Sequence, residues 1–264
     1  MSKIGIGVIS VNRPEFFSQC MASLPKSDVV IEVINGERNY SVCRDKVFYQ
    51  KKTQNVAANK NVALKFLLEE ANCDHIFLCE DDIRFEDQNL CQKYIETAEN
   101  TGILHFNYGA HGFNNRDYDT QKPIVKKVVN YSINMKVDLY HHILGSWSYY
   151  HKSCLEQVGY MEESYNNAME HVDHTFRIYK QAKKHPPFWW FADIHRSYDY
   201  IKDIKANFEG SIIRKSEDWQ KNLQEACLLF QKRNGYTPMK VPELGFRYVE
   251  KELQEIYRTK EYSM

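Results

Sequence analysis

Residues 75–82 read His-Ile-Phe-Leu-Cys-Glu-Asp-Asp, an apolar run that ends in three consecutive carboxylates. A short apolar run bounded by polar residues is typical of a buried β-strand. In open α/β sheets ligands bind at the carboxyl ends of the strands, where Glu80, Asp81 and Asp82 would then lie. Adjacent carboxylates repel one another unless a cation lies among them, and oxygen ligands suit Mg²⁺ or Mn²⁺. The alternative is a solvated acidic loop that precedes the next helix.

The residues on both sides of this strand alternate between strand and helix patterns. Strands are predicted over residues 4–11, 29–34 and 75–79, and helices over residues 14–24, 55–70 and 87–99. This alternation predicts an α/β fold with a mostly parallel sheet and helices on both faces. The sequence pattern of residues 102–150 predicts further strands and loops. Ser153 begins a capping box for a short helix, a second helix is predicted over 168–184, and a late strand over 188–192.

From about residue 205 onwards the pattern is purely helical. Ser216 is predicted to cap a helix that Gly235 ends. The apolar stripe of this helix is Trp219, Leu223, Cys227 and Phe230, and that of a last helix is Phe246, Val249, Leu253 and Ile256. We therefore predict one α/β domain over residues 1–205 and a helical extension over residues 206–264. The extension is expected to pack on that domain or on a second copy of the chain.

The composition is that of a globular protein without an excess of charge. The 264 residues include 35 Lys and Arg and 35 Asp and Glu, so the formal net charge is zero and nothing demands a polyanionic partner. No run of 18 apolar residues predicts a membrane-spanning helix, and the N-terminus lacks the pattern of a signal peptide. The seven cysteines have no CxxC spacing and predict free, mostly buried thiols. We expect a cytoplasmic protein, of its own cell or of an infected host.

Two common nucleotide-binding motifs are incomplete or missing. Gly5-Ile6-Gly7 lies too close to the chain start and is not completed to GxGxxG, and no GxxxxGK[ST] occurs. A nucleotidyltransferase would have a Gly-rich basic loop after the first strand, and the Val-Asn-Arg-Pro-Glu of residues 11–15 is not such a loop. Rossmann dehydrogenases, P-loop proteins and nucleotidyltransferases are therefore disfavoured.

Six stretches resemble, in the correct order, the motifs of family 2 glycosyltransferases with the GT-A fold. They are the strand with Asn12-Arg13-Pro14, residues 33–36, residues 55–64, residues 77–82, Gly145-Ser146-Trp147, and the block of residues 158–163 with Glu170, Asp173 and Arg177. Each motif is short, and the match extends over about residues 4–200. The resemblance implies an enzyme that transfers a sugar, with inversion, from a nucleotide-diphosphate sugar to an acceptor hydroxyl. It also implies Mn²⁺ or Mg²⁺ as the cofactor and a UDP-sugar as the expected donor.

The resemblance assigns roles to individual residues. The expected donor contacts are Asn12, Arg13, Asn35, Lys60 and Asp81. The expected metal ligands are Asp82 and a late histidine, His195, and the acceptor loop is Gly145, Ser146 and Trp147. Each assignment has a structural alternative: a surface charge for Arg13 and Lys60, a surface position for His195 and a core position for Trp147.

The general base is expected at the start of the helix that contains Glu170 and His171. His171 stands where the family usually has a catalytic Asp. We favour Glu170, because a carboxylate keeps the chemistry of the family and His171 would then orient it or contact the acceptor. His171 is the competing candidate, since an imidazole acts as a base near neutral pH. Asp173 and Arg177 are four residues apart on this helix and predict a structural ion pair.

The acceptor leaves alternatives open. A glycan is the default for the family. A viral or phage enzyme of this type would instead glycosylate a hydroxymethylated DNA base, which requires a local basic patch. A third alternative is a module that binds a glycan or a nucleotide without catalysis, because the usual base is replaced by His171.

Overall fold

A six-stranded sheet forms the centre of the molecule in the computed structural model, which describes residues 2–36, 40–42, 45–50, 55–204 and 214–260. Its strands, in spatial order, are β3 (Lys46–Gln50), β2 (Val29–Asn35), β1 (Ile4–Val11), β4 (His75–Glu80), β9 (Trp147–His151) and β6 (His105–Asn107). The first four are parallel to one another, and β9 runs antiparallel to both β4 and β6. The predicted mostly parallel sheet is therefore confirmed.

Two small sheets extend this framework towards the carboxyl end of β4. One contains β10 (Phe191–Ile194), β8 (Lys136–Tyr140) and β7 (Lys127–Asn130), and the other pairs β11 (Ile201–Asp203) with β5 (Ile83–Phe85). The β5–β11 pairing is antiparallel and places Asp203 opposite Ile83. Because Ile83 follows Asp82 directly, this pairing brings Asp203 next to the acidic motif.

The described helices cover the sheet on both faces and continue into the C-terminal part. They are α1 (Pro14–Ser23), α2 (Val56–Lys65), α3 (Leu90–Thr101), α4 (Lys152–Val158), α5 (Glu170–Arg177), α6 (Trp219–Asn234) and α7 (Phe246–Arg258). One π-helical turn continues α2 and another continues α5. None of the described helices is long and apolar enough to cross a membrane. The described cysteines are free, and Cys227 is the one that is not buried.

The hydrophobic core has two parts. The main part lies around the central sheet and includes Val249, Leu253 and Ile256 of α7. Gly102 ends α3 with a φ of 76°, and a Cβ there would lie 2.6 Å from the backbone oxygen of Ile256, so α7 packs closely against the end of α3. The second part joins α5 to α6 through residues such as Phe176 and Phe230. Both C-terminal helices thus pack on the α/β region. The predicted boundary between residues 205 and 206 lies outside the described residues.

Two local predictions were wrong, and a third was right in part. The N-cap of α4 is His151, whose ring nitrogen accepts from the Ser153 N–H, so Ser153 lies inside the helix. The N-cap of α6 is Asp218 rather than Ser216. The predicted stripe of α6 is right in part: Phe230 is buried, and Trp219 and Leu223 are partly buried and pack against the same cluster. The other buried residues of this helix are Asn222 and Ala226.

The late strand also begins later than predicted. β10 starts at Phe191 because Trp189 has a φ of 72° and the Trp190 N–H donates to the Pro187 carbonyl, which forms a turn.

Candidate active site

A cavity of about 440 Å³ opens at the carboxyl end of β4. Its lining includes Glu80 at the end of β4 and Asp82 just after it, Gly145 and Ser146 before β9, and Glu170 and His171 at the start of α5. The position agrees with the rule that ligands bind at the carboxyl ends of strands. The structure therefore brings together one residue expected to bind metal, two of the acceptor loop and both candidates for the base.

The three carboxylates of the acidic motif have different environments. Asp81 is fully buried, pairs with the Arg13 guanidinium and accepts from Ser10 Oγ at 2.5 Å. Burial raises the pKa of Asp81 to about 7, against the opposing charge of Arg13. Asp82 lines the cavity, and its Oδ2 lies 3.4 Å from Arg13 Nη1. Asp81 itself is not among the lining residues, so its visible role is to hold Arg13 beside Asp82.

Lys60 lies behind the cavity wall rather than on a surface. Its ammonium is 1% exposed and lies 2.7 Å from Glu80 Oε1 and 3.0 Å from Glu170 Oε1. Burial would lower the pKa of Lys60, but the two carboxylates outweigh burial and raise it. A Cβ on Gly145 would lie 2.9 Å from Lys60 Nζ and 3.2 Å from His171 Nδ1. Glycine at position 145 therefore leaves the space that this network occupies.

Glu170 and His171 form a hydrogen-bonded carboxylate–imidazole dyad. Glu170 Oε1 lies 3.1 Å from His171 Nδ1 and also accepts from Lys60. Burial would raise the pKa of Glu170, but the charges of Lys60 and His171 outweigh burial and lower it. Glu170 is buried, whereas the His171 side chain is 21% exposed in the cavity. A proton on Nδ1, donated to Glu170, leaves Nε2 as the basic nitrogen of the ring.

The remaining expected donor contacts lie at the neighbouring strand ends. Asn12 follows β1 with a φ of 51°, and Asn35 ends β2 and is buried. A Cβ on Gly36, which has a φ of 103°, would lie 2.1 Å from Asn12 Oδ1. The turns that follow β1 and β2 therefore pack tightly against each other beside Arg13. Asn12, Arg13 and Asn35 are not lining residues of the cavity itself.

Two expected residues lie elsewhere. Trp147 is fully buried, with its ring stacked 4.9 Å from Phe77, so the core interpretation of this residue is the observed one. His195 follows β10, and its Nδ1 lies 2.8 Å from Asp138 Oδ1. Neither side chain is among the residues that line the cavity.

The polar lining residues that sequence reasoning missed include His111, Asp203 and Arg214. His111 Nδ1 lies 2.7 Å from Asp203 Oδ1, and its Nε2 lies 3.9 Å from Asp82 Oδ2. Burial would lower the pKa of His111, but Asp82 and Asp203 outweigh burial and raise it to about 9. No spacing in the sequence links these residues, because the β5–β11 pairing and the loop after β6 bring them together.

The opposite end of the cavity is apolar. It is lined by aromatic and aliphatic side chains, which include Phe188, Trp189, Phe191, Trp219, Leu223 and Met239. Trp219 and Leu223 come from α6, so the C-terminal region contributes directly to the cavity wall. The cavity thus has one acidic end, one apolar end, and the dyad at its wall.

The donor set fits the divalent cation that the resemblance implies. Asp82 Oδ1 is buried and has no hydrogen-bond partner. A bound cation would supply the partner that this oxygen lacks. No group of three or more His, Cys, Asp or Glu in the described ranges is arranged to hold a metal by itself. Mg²⁺ is commonly held by one or two carboxylates together with substrate phosphates, so a site with few protein ligands suits a diphosphate substrate.

Comparison with solved structures identifies the fold. The chain superposes on residues 1–349 of TarS from S. aureus in complex with UDP-GlcNAc, with 13% identity, a TM-score of 0.56, and coverage of 99% of this chain and 73% of TarS 1–349. A second TarS 1–349 structure gives 13% identity, a TM-score of 0.50 and coverage of 99% and 72%. The fold is that of the GT-A glycosyltransferases. This confirms the fold that the six motifs implied.

Other comparisons add no further assignment. The mannosyltransferase PcManGT from Pyrobaculum calidifontis, in complex with GDP-Man and Mn²⁺, gives 10% identity, coverage of 99% of this chain and 73% of that chain, and a TM-score of 0.48. No family model matches the sequence, and no curated protein sequence matches it. The similarity therefore concerns the fold, and the chemistry rests on the residues of the cavity.

Proposed function

We propose that this chain is an inverting, divalent-cation-dependent glycosyltransferase that moves a sugar from a nucleotide-diphosphate sugar to a hydroxyl of a glycan. The observation that carries the proposal is the cavity at the carboxyl end of β4, where an acidic end and the Glu170–His171 dyad share one space on a GT-A fold. Transfer requires a group that neutralises the leaving diphosphate and a base for the acceptor hydroxyl. Both kinds of group line this cavity.

His171 is the base in this proposal, and Glu170 orients it. Glu170 Oε1 is engaged by both Lys60 and His171, and its lowered pKa makes it a weak proton acceptor. His171 is the member of the dyad that is exposed to the cavity. As the acceptor oxygen attacks the anomeric carbon, Nε2 takes its proton and the Glu170 carboxylate stabilises the resulting imidazolium. The proposed base is thus His171, whereas the sequence analysis favoured Glu170.

The acidic end serves the leaving group. Asp82, with its unpartnered Oδ1, would hold Mn²⁺ or Mg²⁺, and when bound the cation supplies positive charge for the leaving diphosphate. Arg13 holds Asp81 and Asp82 in place, and Arg214 lines the same end of the cavity. Asn12 and Asn35 at the neighbouring strand ends are the proposed contacts to the nucleoside. The complex of TarS with UDP-GlcNAc supports a UDP-sugar as the first donor to test.

The apolar end is the proposed acceptor side. Trp189 and Trp219 offer ring faces on which a sugar can stack, which favours a glycan. Gly145 and Ser146 also line the cavity, and a Cβ on Gly145 would lie 3.3 Å from Glu80 Oε1. Arg214 is the single Lys or Arg among the described lining residues, so the cavity itself gives no support to a DNA acceptor. The His171–Glu170 dyad, in turn, disfavours a module without catalysis.

Thermal-shift screening of nucleotide sugars with and without Mn²⁺, followed by an assay of the same samples for free nucleotide, tests the proposal. A donor present at 100 times its Kd stabilises the folded chain by about 2.7 kcal/mol. We expect one nucleotide sugar to raise the melting temperature and to be hydrolysed slowly when no acceptor is present. Stabilisation without any release of nucleotide would instead identify a binding module. Absence of stabilisation by every nucleotide sugar would contradict the proposal.

A further inference from the structure

His111 and Asp203 form a fixed pair at the acidic end of the cavity. Asp203 Oδ1 accepts from His111 Nδ1 at 2.7 Å, and Asp203 Oδ2 accepts from the Gly112 N–H at 3.0 Å. The Asp203 carboxylate thus hydrogen-bonds both to the ring of His111 and to the backbone N–H of the next residue. In the neutral form of His111, which is the form that binds a metal, a proton held on Nδ1 by this contact leaves the lone pair of the ring on Nε2.

The free nitrogen of this pair faces Asp82. His111 Nε2 lies 3.9 Å from Asp82 Oδ2. Two atoms that each lie about 2.1 Å from one cation are separated by roughly 3.0 to 4.2 Å, so this distance suits two ligands of the same ion. Arg13 approaches Asp82 at Oδ2, whereas Asp82 Oδ1 is buried without a hydrogen-bond partner. The Asp82 carboxylate, which His111 Nε2 faces through Oδ2, thus retains a second oxygen, Oδ1, without a hydrogen-bond partner.

We propose that Asp82 and His111 are the protein ligands of the divalent cation and that Asp203 is the positioning residue that orients His111. This rests on the proposed function and makes His111 the histidine ligand in place of His195, which the resemblance implied. A histidine that binds a metal commonly donates its other ring N–H to a carboxylate, and the Asp203–His111 contact has this form. His195 has a similar contact, with Asp138, but it does not line the cavity. The two histidines therefore differ in location rather than in their carboxylate partner.

The ligand chemistry distinguishes between metals. Mg²⁺ takes oxygen ligands, whereas imidazole nitrogen suits transition metals. A site with Asp82 and His111 therefore prefers Mn²⁺ to Mg²⁺. Loss of the imidazole should weaken the binding of Mn²⁺ more than that of Mg²⁺, a difference that a purely structural role of His111 would not produce.

The test is a titration of the full chain with MnCl₂, in which electron paramagnetic resonance detects the free ion, without nucleotide and again with UDP. We expect His111→Ala to weaken Mn²⁺ binding at least 100-fold, and Asp203→Asn to weaken it about 10- to 100-fold. His195→Ala should keep the wild-type affinity within about twofold. His111→Asn is the second variant, and melting temperatures of all variants verify that they fold.

Unchanged Mn²⁺ affinity in both His111 variants would overturn the inference, and so would its loss in His195→Ala or the absence of Mn²⁺ binding by the wild type. A separate assay of UDP-GlcNAc turnover keeps the two proposals apart. If the His111 variants lose Mn²⁺ but the wild type neither binds nor cleaves any nucleotide sugar, the metal site stands and the proposed function falls. If the wild type transfers sugar equally well after EDTA treatment, the metal site falls and the transferase stands.

Discussion

Two ion-pair networks flank the cavity with the same charges but different exposure. In the Arg13 network, Arg13 lies between Asp81 and Asp82, and its side chain is 15% exposed. In the Lys60 network, Lys60 lies between Glu80 and Glu170 and is 1% exposed. The first leaves a carboxylate oxygen of Asp82 without a hydrogen-bond partner, whereas the second engages Glu170 and exposes His171 instead.

In the proposed function, the same arrangement of a cation between two carboxylates therefore serves two purposes. Around Arg13 it would arrange acidic groups for a ligand, because one carboxylate oxygen of Asp82 has no hydrogen-bond partner. Around Lys60 it fixes a buried carboxylate, because a buried charge must be paired, and that carboxylate would then orient the proposed base. Variants that separate the orientation of the proposed base from the binding of a ligand therefore test this difference between the Arg13 and Lys60 networks.

The largest effect is expected at His171. Replacement by Ala removes the proposed base and should lower turnover by a factor on the order of 10² to 10⁴, with donor affinity retained. Added imidazole should restore part of the turnover of His171→Ala, because it can enter the space that the side chain leaves, and should not restore Glu170→Ala. Steady-state kinetics and donor calorimetry give the two readouts. Rescue of Glu170→Ala by formate, with no loss in His171→Ala, would make Glu170 the base.

The second effect concerns stability. Lys60→Met leaves Glu170 buried without its main cation and should lower the free energy of unfolding by about 3–5 kcal/mol at pH 7. In this variant burial raises the pKa of Glu170 above its value in the unfolded chain. The folded state then binds more protons, so stability should rise as the pH is lowered from 7 towards 5. Urea unfolding at several pH values measures both effects.

Two further variants control this result. Lys65→Met changes an exposed lysine of the same helix and should be close to neutral. Lys60→Met combined with Glu170→Gln removes the buried charge and should recover stability but not turnover. If Lys60→Met were as stable as the wild type at pH 7, the Lys60 network would not be needed to hold the fold around Glu170.

The sequence predicted the parts of the site that lie on regular elements. β4 and its carboxylates, the glycine loop at 145 and the helix start at Glu170 follow from hydrophobic pattern and motif order, because each is local in the chain. His111 and Asp203 could not be predicted in this way. They meet Asp82 through the loop after β6 and through the pairing of two short strands, β5 and β11, whose register no local pattern determines.

The sequence also could not predict which residue of the dyad is exposed to the cavity. Glu170 and His171 are adjacent, so spacing says nothing about which of them reaches the cavity. The deciding contact is Lys60, which lies 110 residues away in the sequence and occupies the carboxylate of Glu170. The buried position of Lys60 on α2 could not be distinguished from a surface charge by composition or periodicity.

A smaller effect is expected at Gly145, which lines the cavity beside Lys60 and His171. In Gly145→Ala the new methyl group would press on Lys60 Nζ, the end of a flexible side chain, and on the His171 ring at Nδ1. We expect the fold to persist and turnover to fall roughly 10-fold as the dyad moves from its working geometry. Gly245→Ala is the control, since a Cβ there meets nothing within 4 Å. Equal kinetics of the two variants would show that the position of the dyad tolerates displacement.

The smallest effect belongs to the apolar end, where the Arg13 and Lys60 networks have no part. Trp219→Ala removes a ring from the acceptor side and should raise the KM for a glycan acceptor about 2- to 10-fold, because an aromatic contact contributes about 0.5–1.5 kcal/mol beyond the area it buries. The affinity for the donor should not change. Leu228→Ala, on the exposed face of the same helix, is the matched control. A rise in donor Kd without any change in acceptor KM would show instead that the apolar end holds the nucleotide, and that the two sides of the cavity must be exchanged.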